Sequence, residues 1–182
     1  MHQRLVELLA ARSVRRGNFT LASGKQSSFY VDARLTTMSP EGLSVIGPAG
    51  LATIRERGWN ADSVGGLTLG ADPVSYAISY ASAGDSKPLR AFTVRKEAKA
   101  HGTGKLIEGP FLAGDRVVVI EDVITTGGSA LKAIEALRAA GATVLGVLAV
   151  VDRNEGGREA IEKTGVVVAA LCQVDEVLAR VP

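Results

Sequence analysis

Cysteine is almost missing from this chain of 182 residues: its single thiol, Cys172, cannot close an intramolecular disulfide. That suits a reducing cytoplasm. The surrounding stretch "VVVAALC" reads as the setting of a small buried hydrophobe rather than of a nucleophile. Long apolar runs are lacking as well. None approaches the roughly 20 residues of a membrane helix, and the N-terminus carries Glu7 inside its apolar part with no small-residue cleavage pattern, so neither a span nor a leader is expected. Nor is there an excess of one charge. Charged residues make up 22% with a net charge of only +2, which argues against wrapping nucleic acid or adhering to acidic membranes. Any cationic function must be local. Internal repeats, low-complexity tracts and linker-like stretches are absent too, and the length fits one unit over 1–182.

What is present is alternation. Five β-branched runs are strand candidates: "SVGGL" (63–67), "LRAFTV" (89–94), "RVVVIED" (116–122), "TVLGVLAVV" (143–151) and "VVVAAL" (166–171). Helical patterns lie between them, which argues for an α/β fold with crossover units and a central, mostly parallel sheet flanked by helices. Ser39-Pro40-Glu41 opens a helix over Ile46, Leu51 and Ile54, with a kink expected at Pro48. Asp72-Pro73 is expected to open another, with Asp72 as its cap. Leu131, Ile134 and Leu137 share one face of a third while Lys132, Glu135 and Arg138 turn outward, and Gly141 stops it. Leu5, Leu8 and Leu9 mark a short first helix that Gly17 is expected to end, and a hairpin is expected around "FTLASGKQSSFYVDARL" (19–35).

The chemistry concentrates in "VVVIEDVITTGGSALKAIEALRAAGA" (117–142), where an apolar strand ends on Glu121 and Asp122 and a loop of Thr125, Thr126, Gly127, Gly128 and Ser129 follows at once. A parallel strand delivers its carboxyl end to the ligand edge of an open sheet, so both acids are expected beside the crevice rather than in the core. The hydroxyls, the glycines and the helix N-terminus after them make a phosphate cradle. Phosphate alone would not want two carboxylates nearby. A ribose 5-phosphate would, since carboxylates accept hydrogen bonds from ribose hydroxyls while the loop holds the phosphate. The pattern lacks the Gly-Lys-Ser/Thr of a nucleotide P-loop and the G-x-G-x-x-G of a dinucleotide fold.

"VVVIEDVITTGGSA" resembles the signature with which type I phosphoribosyltransferases hold 5-phosphoribosyl 1-diphosphate (PRPP). "VRKEAKAHGTGKLIEG" (94–109) looks like the mobile catalytic loop of the orotate branch of that family. "VDRNEGG" (151–157), "FTLASGKQSSFYVD" (19–32) and "GGLTLGADP" (65–73) resemble its stretch after the next strand, its orotate-side segment and its diphosphate loop, all in the family's order. The resemblance implies the type I fold with a small N-terminal hood from about residues 1–38. It also implies transfer of the phosphoribosyl group from PRPP to orotate, in de novo pyrimidine synthesis, giving orotidine 5′-monophosphate and diphosphate. A sister activity on another base, or a PRPP-sensing regulator without activity, are the rivals.

Read without the family, Arg95, Lys96, Lys99, His101 and Lys105 place five potential cations in eleven residues against Glu97 alone. An isolated run of this kind is usually a solvated surface loop. Between two sheet strands of a PRPP-type fold it becomes an anion clamp for the departing diphosphate. The resemblance makes Arg95, Lys96, Lys99 and His101 PRPP contacts, together with Glu121, Asp122, Val123, Ile124, Thr125, Thr126, Gly127, Gly128 and Ser129. Lys99, His101 and Asp122 are its catalytic set, and Mg²⁺ is its cofactor, carried mainly by PRPP and water rather than by protein ligands. It further implies a cytoplasmic homodimer that shares the mobile loop across the interface. Orotate bears a carboxylate, so Arg153, just past the strand 143–151, is the expected cation for it, with Thr125 on the same side. Two positions depart from the family. Ala22 stands where many members have a substrate-contacting Lys, which Lys25 is placed to replace, and Leu69 stands where many have another Lys. "GLTLGADP" is then expected to offer its backbone to the diphosphate, with Gly66 and Gly70 allowing close approach.

Overall fold

The computed structural model describes residues 1–20, 26–97 and 105–181. Ala22, Lys25, Lys99 and His101 lie outside the described residues. In chain order the elements are α1 (His2–Arg12), β1 (Val14–Thr20), β2 (Gln26–Val31), α2 (Arg34–Thr37), α3 (Pro40–Glu56), β3 (Ser63–Leu67), α4 (Ala71–Ala81) and β4 (Arg90–Val94). There follow β5 (Ile107–Glu108), β6 (Arg116–Ile124), α5 (Gly128–Ala139), β7 (Thr143–Asp152), α6 (Gly157–Glu162), β8 (Val168–Gln173) and α7 (Val174–Leu178).

Strands β5-β4-β3-β6-β7-β8 form one sheet. All its pairs are parallel except β4 with β5. The five strand candidates are all in it, and β5 adds an antiparallel edge too short to carry a periodic signal. β3 and β6 lie side by side, with β4 and β7 outside them, so a crevice opens where their carboxyl ends diverge. Each face of the sheet buries its own core, as strand alternation requires. Val118 and Ile120 pack with α1, α3, α4 and α7 through Leu9, Ile46, Ile54, Ile78 and Val177. Val117 and Val119 pack with α5 and α6 through Ala133, Ile134, Leu137 and Ile161.

Local chemistry sets several boundaries. Ser39 caps α3 by accepting a hydrogen bond from the Gly42 N–H at 3.1 Å, with Pro40 at the first helical position. The helix runs on through Pro48 to Glu56, so that proline does not divide it. α1 stops at Arg12 and not at Gly17. The Ser13 N–H bonds the Leu9 carbonyl at 2.8 Å, and the Ser13 carbonyl accepts from the Asp32 N–H at 2.8 Å. Hairpin pairing of β1 with β2 therefore captures Val14 onward, and Gly17 falls at an irregularity in the register between Arg16 and Phe19. α4 begins at Ala71, after Gly70, so Asp72 is inside the helix and not its cap. Its buried carboxylate accepts instead from the hydroxyls of Thr68 at 2.7 Å and Thr93 at 2.8 Å, tying the end of β3 to β4.

Cys172 is buried on β8, and burial pushes its thiol up to about 12, so it stays protonated and inert. No described helix is long and apolar enough to cross a membrane.

Candidate active site

The crevice at the carboxyl end of β6 is a cleft of about 580 Å³. Its floor and wall are Glu121, Val123, Ile124 and the loop Thr125–Ser129, with Leu67 at the end of β3. Lys96 and Glu97 reach it from the segment after β4, and Lys132 reaches it from α5. The helix that rises from this loop is 12 residues long, so its unpaired first-turn N–H groups and its dipole favour an anion. Gly127, with φ +79°, turns the chain from strand into helix in the left-handed region that a side chain resists. A Cβ there would also stand 2.7 Å from the Gly157 carbonyl, so the loop is buttressed by the start of α6.

Lys132 turns outward as the helix pattern reads, and on this side of α5 outward is toward the open cleft. It follows Gly128 by one turn and therefore lies above the loop, on the side of α5 that faces the cleft. Periodicity assigned it by its polar character; that one-turn spacing from a cradle glycine was the signal that would have found it. Lys96 and Lys132 thus both line the cradle.

The two acids part company. Neighbouring residues of a strand point to opposite faces, so Glu121 follows Val117 and Val119 toward α5 and the cleft, while Asp122 follows Val118 and Ile120 toward α4. Glu121 is buried at 6% exposure and its Oε1 lacks a hydrogen-bond partner among the described residues. It stands beside the crevice as expected, but buried. Burial first, and then the charge of Asp122, raise its pKa to about 8. At neutral pH it is mostly a neutral acid that both donates and accepts. A protonated Glu121 removes much of the repulsion that a carboxylate would impose on a bound phosphate.

Asp122 is also raised, chiefly by burial, against the hydrogen bond its Oδ1 accepts from the Val123 N–H at 2.8 Å and the field of Arg34. Arg34 itself is held by Asp32 through two bonds of 2.8 and 3.0 Å. Asp122 lies against Gly70, where a Cβ would stand 2.5 Å from its Oδ1. A Cβ on Gly66 would stand 2.0 Å from the Ile120 carbonyl. The protein's own packing already leaves no room for a side chain at either glycine. Leu69, half exposed, turns outward beside them.

Arg95 does not line the cleft. Its guanidinium lies 3.7 Å from Glu108 on β5, and its backbone N–H bonds the Leu106 carbonyl. Lys99, His101 and Lys25, expected around the substrate, lie outside the described residues. His2, given no role by the sequence, contacts the Leu171 carbonyl at 3.0 Å and Glu176 at 3.1 Å and serves to dock the N-terminus.

Arg153 follows β7 at the same sheet edge, its N–H bonding the Ile124 carbonyl at 3.0 Å. Its side chain is only 5% exposed and pairs with Glu155. Phe29 of the hood covers it, with the guanidinium carbon 4.8 Å from the ring centroid. Sequence reasoning found the arginine and missed both neighbours, because the hairpin brings Phe29 across from far away in the chain.

Residues 55–174 match the phosphoribosyl transferase domain family. The orotate phosphoribosyltransferase of Aquifex aeolicus is 49% identical over 179 residues, covering 97% of each chain. Two crystal structures of the orotate phosphoribosyltransferase of Mycobacterium tuberculosis share the fold. The complex with Fe(III) dicitrate has a TM-score of 0.85 at 42% identity, covering 97% of this chain and 98% of that one. The complex with PRPP has a TM-score of 0.81 at 39% identity over the same shares. With its strand-loop-helix cradle matched by a family model and by full-length relatives alike, this chain belongs to the orotate phosphoribosyltransferase family.

Proposed function

We propose that this protein transfers the 5-phosphoribosyl group of PRPP to orotate, yielding orotidine 5′-monophosphate and diphosphate in de novo pyrimidine synthesis. The observation that carries the reading is the single cleft wall on which the loop Thr125–Ser129, Glu121, Lys96 and Lys132 converge at the mouth of β6. A 5′-phosphate fits the loop, since its hydroxyls and the α5 N-terminus supply donors. The ribose hydroxyls then fall near Glu121, whose neutral acid both donates to and accepts from them.

A ring nitrogen of orotate attacks the anomeric carbon and gives up its proton to solvent, the carbon–oxygen bond to diphosphate breaks with inversion, and diphosphate leaves with the bonding electrons. Negative charge grows on the leaving group, and Lys96 stands on the side from which cations reach it. Lys99 and His101 complete the clamp in this reading, and Asp122 orients the strand end from behind. Mg²⁺ supplies further neutralisation of the diphosphate when bound. In this reading PRPP and water supply most of the metal's ligands, as Mg²⁺ generally keeps several waters. Arg153, with Thr125 beside it, takes the orotate carboxylate.

Chain 1–182 acts as one unit, with residues 1–38 as helix and hood. The reading makes it a cytoplasmic homodimer. Leu43 and Pro48 of α3 line an apolar groove with Met38, Leu69, Tyr76 and Tyr80, Tyr80 at 84% exposure, which supports a partner there. A shared loop then completes each site from the neighbour.

The test is nucleotide formation from PRPP and Mg²⁺ with orotate, uracil, adenine and hypoxanthine in separate reactions. Turnover of orotate alone, largely lost in Lys99→Ala, is expected. Turnover of another base in place of orotate would refute the assignment, and so would PRPP binding without turnover.

A further inference from the structure

Arg153 is a buried cation, and a buried cation needs a counter-charge. Asp152, its neighbour in sequence, does not provide one. Its carboxylate accepts from Arg158 Nε at 2.9 Å and from the Asn154 N–H at 3.0 Å. Glu155 provides it instead. Asn154 adopts φ +54°, and the chain turns so that the Glu155 carboxylate comes back alongside Arg153. A single oxygen, Oε1, then accepts from Nε at 2.9 Å and lies 2.7 Å from Nη2. Beyond this close ion-pair contact, Nη2 has no hydrogen-bond partner among the described residues.

One edge of the guanidinium is thus pinned by Glu155 and one face is covered by Phe29. Both restraints act on a planar fork whose value in recognising a carboxylate depends on its orientation. We infer that Glu155 is a positioning residue for base selection: it fixes Arg153 by the Nε edge so that the remaining N–H groups meet the carboxylate of the pyrimidine. The inference rests on the assignment of Arg153 to that carboxylate.

The grip through one oxygen distinguishes a positioning role from competition. A carboxylate that occupied the fork with both oxygens would have to be displaced by substrate. Only Oε1 of Glu155 contacts Arg153, and the Glu155 side chain is 33% exposed against 5% for the arginine.

The experiment compares full-length Glu155→Ala, Glu155→Gln, Glu155→Asp and Arg153→Ala, reading the KM for orotate, the KM for PRPP and kcat separately. Losing one charge-assisted hydrogen bond at Arg153 should raise the orotate KM roughly tenfold in Glu155→Ala while the PRPP KM stays within about twofold. Glu155→Gln, which keeps an acceptor oxygen for Nε, should recover most of the loss. Glu155→Asp, which keeps the charge but withdraws the oxygen, should not recover it, and it carries the test if the alanine variant does not fold. An unchanged or lowered orotate KM in Glu155→Ala and Glu155→Asp, beside a raised one in Arg153→Ala, overturns the positioning role alone. Equal rises in both KM values overturn it as well, since they mark a general structural defect. An unchanged orotate KM in Arg153→Ala overturns the base assignment and the inference with it.

Discussion

Replacing Glu121 with Gln should make the protein more stable at alkaline pH, by an amount that follows from the burial of this side chain. Its folded pKa of about 8 lies above the ordinary 4.5. The unfolded chain therefore gives up the proton as pH rises past 4.5 while the folded chain keeps it. Stability associated with the neutral acid is fully present below that value and drains away until the folded group ionises near 8. The slope is about 1.4 kcal/mol per pH unit. Between pH 5.5 and 8 the wild type should lose roughly 3 kcal/mol that Glu121→Gln does not lose. In a chain of this length that opens a gap of roughly 10 °C in Tm. Any fixed cost of the amide is the same at every pH and cancels in the comparison. Thermal or urea unfolding of both proteins across this range, without ligand, reads the difference. Parallel curves, or a gap that narrows toward pH 8, would refute the claim that the cleft holds a protonated acid.

Three further outcomes follow from named contacts. Lys132→Ala should raise the KM for PRPP several-fold, roughly 3- to 10-fold at low ionic strength, and the effect should shrink in salt because the side chain is exposed. An unchanged KM across a salt series would remove Lys132 from the cradle. Gly70→Ala should drive a methyl into the Asp122 carboxylate, 2.5 Å away, and cut kcat/KM by roughly tenfold or more. Steady-state rates at native-like far-UV circular dichroism check it. Ser39→Ala should cost about 1 kcal/mol through loss of the α3 cap, seen as a lower urea midpoint with unchanged KM values.

The parts of this protein that its sequence alone determined are those ruled by neighbours in the chain. Ser39-Pro40 opens α3 because a cap hydroxyl and a fixed proline φ act over three residues. Ser63–Leu67 is a strand as read, and the runs at 116–122 and 143–151 are strands that continue by two residues and by one. The cradle Thr125–Ser129 was legible for the same reason: strand end, small loop and helix start are contiguous. Arg153 was legible by its place one residue past β7.

Tertiary structure decided the rest, because it depends on what comes from elsewhere in the chain. Asp72 looked like a cap until the hydroxyls of Thr68 and Thr93 claimed its carboxylate. Gly17 looked like a helix stop until β2 paired with the residues around it. Glu121 and Asp122 read as one acidic pair, and only their opposite directions from β6, with a different core on each side, separate a neutral acid in the cleft from a second carboxyl against Gly70. Protonation is a matter of burial and nearby charge, and neither is written in the order of residues. The same holds for Arg153, whose ring neighbour and counter-charge were set by the hood and by one left-handed turn.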